Sequence, residues 1–132
     1  MIGLDTNVVV RFLVQDDDVQ SPIATRVFSG LSREQPGFIS SVALAEITWV
    51  LSRAYKASRD EIASAVEGML RSAELVIENA EATYRALAAY RASPSAEFAD
   101  ALIVQRAAIA GASETVTFDQ NAAAALGMRL PR

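Results

Sequence analysis

The sequence contains neither cysteine nor histidine. Without cysteine there is no disulfide framework, thiol nucleophile, zinc ribbon or iron–sulfur cluster. Without histidine there is no Ser-His-Asp or Cys-His site, no imidazole base and no histidine-ligated metal. Lysine occurs once, as Lys56, beside eleven arginines. Glycine is scarce, and its six positions form no phosphate-cradling loop. No apolar run approaches the roughly 18 residues of a membrane span. The start, Met1-Ile2-Gly3-Leu4-Asp5, has no basic segment and no small-residue cleavage site, so no signal peptide is expected and a cytoplasmic location is. The chemistry left is that of carboxylates, hydroxyls, amides, arginines and the single Lys56. It favours Mg²⁺ or Mn²⁺ held by Asp and Glu.

What is present describes one globular domain. The chain has 132 residues, 52% of them hydrophobic and 21% charged, long enough for a real core. Twelve basic against sixteen acidic residues give a net charge of −4, which opposes a bulk electrostatic grip on nucleic acid. No internal repeat or flexible linker interrupts the chain, so a single domain over 1–132 is expected.

Short apolar runs alternate with helical periodicities. Strands are expected at Met1–Leu4, Phe38–Ser40, Leu75–Ile77, Thr115–Phe118 and Met128–Leu130. Thr6 is expected to cap a helix to Val14, and Ser21-Pro22 to start one reaching Arg33. Ser41 is expected to cap the helix carrying Leu44, Ile47, Val50 and Leu51. Ser58 and Glu61 have the spacing of a capping box, and Asn79 is read as a cap. Gly111 reads as a helix stop. The pattern predicts an α/β fold of three layers, α/β/α, around a parallel sheet of four to five short strands. Ligands of such sheets bind beyond the carboxyl ends of the strands.

That rule directs attention to four acids. Asp5 and Asp119 end the first and fourth predicted strands. Glu46 and Asp100 lie on helices, embedded among apolar residues, so burial is expected for both. Three have a bland reading, a cap for Asp5 and Asp119 and an Arg53 partner for Glu46, whereas Asp100 is harder to dismiss because a lone acid on an apolar helix face is costly. Together they are more telling. Two carboxylates about 4 Å apart repel by about 4 kcal/mol at an effective dielectric near 20. A trapped proton or a divalent cation resolves that conflict, and a cation can activate water without histidine.

Four segments carry a resemblance: Leu4-Asp5-Thr6-Asn7-Val8, Ser40-Val42-Glu46, Phe98-Ala99-Asp100-Ala101-Leu102-Ile103 and Thr117-Phe118-Asp119. In this order and spacing the chain resembles the PIN-domain ribonucleases, and among them the VapC-type toxins of toxin–antitoxin pairs. The resemblance implies a PIN-like fold and a pocket of Asp5, Glu46, Asp100 and Asp119 holding Mg²⁺ or Mn²⁺. It implies hydrolysis of RNA by metal-activated water, homodimerisation, and inhibition by a small VapB-like antitoxin. Asp5 and Asp100 would hold the principal cation, Glu46 would complete or orient its water shell, and Asp119 would bind a second cation or help orient the first one's water. Thr6, Asn7 and Thr117 would orient the carboxylates. Gln120-Asn121 departs from the acid or aromatic that many relatives place there. The competing reading is a non-catalytic or non-toxin PIN-like module that binds RNA or a protein partner.

Other features have quieter readings. Glu97 is assigned to the helix N-terminus rather than the pocket. Asp16-Asp17-Asp18 is read as a solvated loop. Trp49 and Tyr55 are read as core or interface. The first helix is apolar nearly all round, as core packing or an outward partner would require. Asn7 stands where a haloacid dehalogenase phosphatase needs a second Asp, and Lys56 is misplaced for a phosphoacceptor receiver domain. Setting the four acids aside equalises acidic and basic residues, so bound cations would remove the charge objection to RNA.

Overall fold

Parallel pairing begins at the amino terminus. In the computed structural model, which describes residues Met1–Arg132, β1 (Ile2–Gly3) pairs with β2 (Gly37–Ile39), and β2 with β3 (Leu75–Ile77). The sheet has the order β1-β2-β3, with Ile2, Gly37 and Leu75 in register. Gly37 is required by close packing: a Cβ there would lie 2.7 Å from Leu4 Cδ1 and 3.0 Å from Leu31 Cδ1. Between the strands run α1 (Thr6–Val14), α2 (Gln20–Ser29), α3 (Ser41–Arg53) and α4 (Arg59–Arg71). Right-handed crossovers between sequential parallel strands carry their helices to one face. The packing of α1 on α2 and α3, and of α3 on α4, accords with this.

Residues Met1–Glu78 form one compact unit and Asn79–Arg132 a second. In the first unit, Val9, Val10, Ile39, Leu44, Ile47, Ile62 and Val66 are buried. The second contains α5 (Ala80–Ala92), α6 (Phe98–Ile109) and α7 (Gln120–Leu126). There α5 packs on α6 with Ala82, Ala86 and Ala101 fully buried, so small side chains let the helices approach closely. Tyr90 and Phe98 meet edge to face at 5.8 Å. Three parallel strands and seven helices make a helix-rich α/β chain consistent with a PIN-like α/β/α fold.

Several expected boundaries move. The predicted fourth and fifth strands shrink to one parallel bridge between Val116 and Arg129. Its hydrogen bonds run from Thr117 N to Arg129 O and from Arg129 N to Thr115 O, both 2.9 Å. Thr115 and Thr117 are half-buried while Val116 and Phe118 point to solvent. The segment therefore buries too little apolar surface to extend a ladder. Helix α1 is capped by Asp5, not Thr6, because the Thr6 backbone is already helical. Helix α3 is capped by Ser40, not Ser41, since the Ser40 hydroxyl accepts from Ala43 N at 3.1 Å. Helix α2 starts at Gln20 because the Asp17 carboxylate accepts from Val19 N and Gln20 N, and it stops at Ser29, short of Arg33. Pro22 still falls in the first turn, where no N–H is needed. Asn79 takes a left-handed conformation and makes no side-chain cap bond. The Ser58–Glu61 capping box forms as read, and Gly111 follows α6 with a φ of +104°.

Candidate functional site

In the first unit, one residue links two of the four acids. The ladder continues past β1 with Leu4 N donating to Phe38 O, which delivers Asp5 to the end of the strand. Asp5 is extended there, and its Oδ1 accepts from Thr6 N at 2.8 Å. This uses one carboxylate oxygen for the cap. Thr6 is buried, and its hydroxyl donates to Glu46 Oε1 at 3.3 Å, across 40 positions of sequence. Its backbone thus holds Asp5 while its side chain holds Glu46. Asn7 is exposed on the same helix.

Glu46 is exposed, contrary to the expectation of burial. Helix α3 buries Ala43, Leu44, Ile47, Thr48 and Leu51. Glu46 belongs to the opposite stripe, with Val42, Trp49 and Arg53 at spacings of four, three and four. Its apolar sequence neighbours point elsewhere. Trp49 is 57% exposed, so it is not a core residue, and the Arg53 guanidinium lies 6.0 Å from its ring centre.

In the second unit, Glu97 occupies the N-cap position of α6 and Asp100 its first turn. Asp100 is half-buried. Burial, then the charges of Glu97 and Asp119, hold its carboxyl above the ordinary carboxylate range. Glu97 is therefore electrostatically tied to Asp100 as well as placed at the helix terminus. Asp119 caps α7, its Oδ1 accepting from Ala122 N at 3.0 Å. The Thr117 hydroxyl accepts from Asp119 N at 3.0 Å and turns the chain just before it. The bland cap reading thus describes Asp5 and Asp119 correctly, yet in each the cap occupies only Oδ1.

One strand-end acid escaped the sequence reading. Glu78 follows β3, and its Oε1 accepts from Ser41 N at 2.8 Å, placing negative charge at the start of α3. The strand-end rule that singled out Asp5 applies equally to it. The Asp16–Asp18 loop is structural. Asp16 meets Arg11 at 3.0 Å and accepts from the Tyr55 hydroxyl at 2.7 Å, while Asp17 starts α2.

The donor set fits a hard divalent cation in its chemistry: every candidate ligand is a carboxylate oxygen. Crowding of negative charge around Asp100 is the signature of a place that a cation would relieve. No three carboxylates of the chain are spaced as a ready-made cage.

A family model described as PIN domain matches residues 2–126. The chain belongs to the PIN domain family. The match runs from β1 to the end of α7 and so includes all four acids. PIN domains are generally metal-dependent nucleases, which accords with a chemistry confined to oxygen ligands. No curated protein and no solved structure matched the chain.

Proposed function

We propose that this PIN domain is an Mg²⁺- or Mn²⁺-dependent endoribonuclease that serves as the toxin of a toxin–antitoxin pair. The observation that carries the reading is Asp100, an acid half-buried early in α6 whose carboxyl is held high by burial and by the charges of Glu97 and Asp119. A carboxylate in such surroundings is costly unless a cation joins it. Asp5, Glu46, Asp100 and Asp119 are the residues proposed to hold the metal. When bound, a divalent cation supplies Lewis-acid chemistry, acidifying water and neutralising charge that develops on the phosphoryl group.

The chain's own residues have separate tasks. Thr6 keeps Asp5 and Glu46 in fixed orientations through its N–H and its hydroxyl. Thr117 and the α7 cap fix Asp119. Water adds to phosphorus and the bond to the 3′-oxygen breaks. The sequence offers no thiol or imidazole nucleophile, and water is the proposed one.

A protein partner is supported by the outer side of α1. Phe12 and Leu13, with Phe28 stacked on Phe12 at 3.9 Å, line an apolar groove of about 620 Å³ in the first unit. An amphipathic segment of a VapB-like antitoxin would find cover there. Homodimerisation is proposed from the resemblance alone. No helix is long and apolar enough to cross a membrane, and a cytoplasmic location is part of the same proposal.

The test is cleavage of single-stranded RNA by the purified chain. Cleavage is expected with Mg²⁺ or Mn²⁺, to stop on chelation, and to be lost in Asp100→Asn. Equal residual cleavage by wild type and variant would mean a contaminating nuclease and sink the enzymatic reading. Millimolar metal is also expected to raise the melting temperature by mass action.

A further inference from the structure

Helix α3, which carries Glu46, is held at its start from two directions. Locally, the Ser40 hydroxyl accepts from Ala43 N at 3.1 Å, and Leu44 N donates to Ser40 O at 2.9 Å. These bonds shape the first turn but tie it only to the residue before it. The second hold comes from 37 positions away, where Ser41 N donates to Glu78 Oε1 at 2.8 Å. The buried Ser41 hydroxyl also donates to Glu78 O, at 3.4 Å. Glu78 N in turn donates to Ile39 O at 3.0 Å, continuing the ladder of β2 and β3 beyond Ile77. Glu78 therefore fastens α3 to the sheet whose first strand delivers Asp5.

We propose that Glu78 is a positioning residue for Glu46: by bonding Ser41 N it sets the angle at which α3 leaves the sheet, and so the place of the Glu46 carboxylate. This rests on the metal-site reading above, in which Glu46 is a ligand. Glu46 lies five residues after Ser41, about 7.5 Å along a helix that rises about 1.5 Å per residue. A tilt of about 4° at the helix start then moves Glu46 by about 0.5 Å, the tolerance within which a coordinating group must be held. Burial of Leu44, Ile47 and Leu51 selects the inward face of α3, but apolar burial is non-directional. The directional holds are the Glu78 bond at the helix start and the Thr6 bond to Glu46 itself. A carboxylate near a helix N-terminus also stabilises it through the dipole. That effect needs charge alone, whereas positioning needs reach to Ser41 N.

Two substitutions separate charge from reach. Glu78→Gln keeps the length and an acceptor oxygen but loses the charge. Glu78→Asp keeps the charge but is one methylene too short for the bond. The probe is Mn²⁺ alone, titrated calorimetrically into the full chain at a temperature where each variant is folded. Glu78→Asp is expected to lower Mn²⁺ affinity about tenfold, the low end for partners that orient a ligand, and Glu78→Gln to retain most of it. In a Glu46→Gln background, Glu78→Asp is expected to add no further loss, because the residue it acts through is already disabled. In RNA cleavage at saturating Mg²⁺, Glu78→Asp should lower kcat more than it raises KM, since no group that touches RNA is removed.

Wild-type Mn²⁺ affinity in Glu78→Asp would overturn the proposal. So would a loss in Glu78→Gln as large as in Glu78→Asp, which would make Glu78 itself a ligand or a source of field. A full further loss in the Glu46→Gln background would overturn it too. The two readings fail distinguishably. Undiminished Mn²⁺ binding in Glu46→Gln refutes the metal role of Glu46 and the proposal with it. Binding lost in Glu46→Gln but kept in Glu78→Asp refutes the positioning role alone.

Discussion

Replacing Thr6 by valine removes one hydroxyl from a buried position and leaves the volume and the backbone N–H in place. The Asp5 cap therefore survives, because it uses Thr6 N at 2.8 Å. What is lost is the bond to Glu46 Oε1, at 3.3 Å longer than most hydroxyl–carboxylate contacts. Glu46 is exposed and can take a water instead. The cost in stability is therefore put at the low end for a hydrogen bond, about 0.5–1 kcal/mol. With an unfolding entropy of about 2.1 cal/mol/K per residue, that lowers the melting temperature by about 2–4 °C. The effect on metal binding should be larger, because partners that orient a ligand typically contribute about 10- to 100-fold in affinity. Calorimetric titration with Mn²⁺, at a temperature where both proteins are folded, measures it. A loss of about tenfold or more is expected, with Thr6→Ser restoring most of the binding. Wild-type affinity in Thr6→Val, alongside lost binding in Glu46→Gln, would refute the positioning role of the hydroxyl.

Two other outcomes follow from the same geometry. Asp100 binds its proton more tightly folded than unfolded, because of burial, Glu97 and Asp119. Stability should then fall as pH rises from about 3.8, the ordinary value, through the raised folded-state value, and level off above it. Asp100→Asn removes that loss, so in EDTA the variant should be more stable than wild type at pH 7.5, with the gap closing toward pH 4. Urea denaturation at both pH values checks this, and a less stable variant at pH 7.5 would contradict it. Gly37→Ala would press a methyl against Leu4 and Leu31. Overpacking of this kind costs about 1–3 kcal/mol. Because Leu4 precedes Asp5, RNA cleavage should fall as well, and a variant with unchanged melting temperature would show that Leu4 yields freely.

Much of the architecture was legible one residue at a time. The capping box at Ser58 and the three apolar runs ending at Leu4, Ile39 and Ile77 are local signals, and local physics honours them. The boundaries that moved did so for reasons that lie outside each segment. Asp17 starts α2 from upstream of the serine and proline, and in the expected fourth strand Thr115 and Thr117 are half-buried while Val116 and Phe118 face solvent. The apolar residues that flank Glu46 in sequence do not surround it in space. On a helix they lie on different faces, and only the packing of α3 selects which face is buried.

The absence of histidine and cysteine excludes, from sequence alone, imidazole- and thiolate-held metals and favours oxygen ligands, and the order of four acid-bearing segments points to the PIN family. Sequence alone also supplies the acids themselves. Tertiary structure decides what holds them. It joins Asp5 to Glu46 through Thr6 across 40 residues, and it surrounds Asp100 with burial and like charge. It leaves Trp49 and Phe118 in solvent beside their acids. These are long-range outcomes of packing, in which a side chain's environment is set by residues far from it along the chain, and no local pattern encodes them.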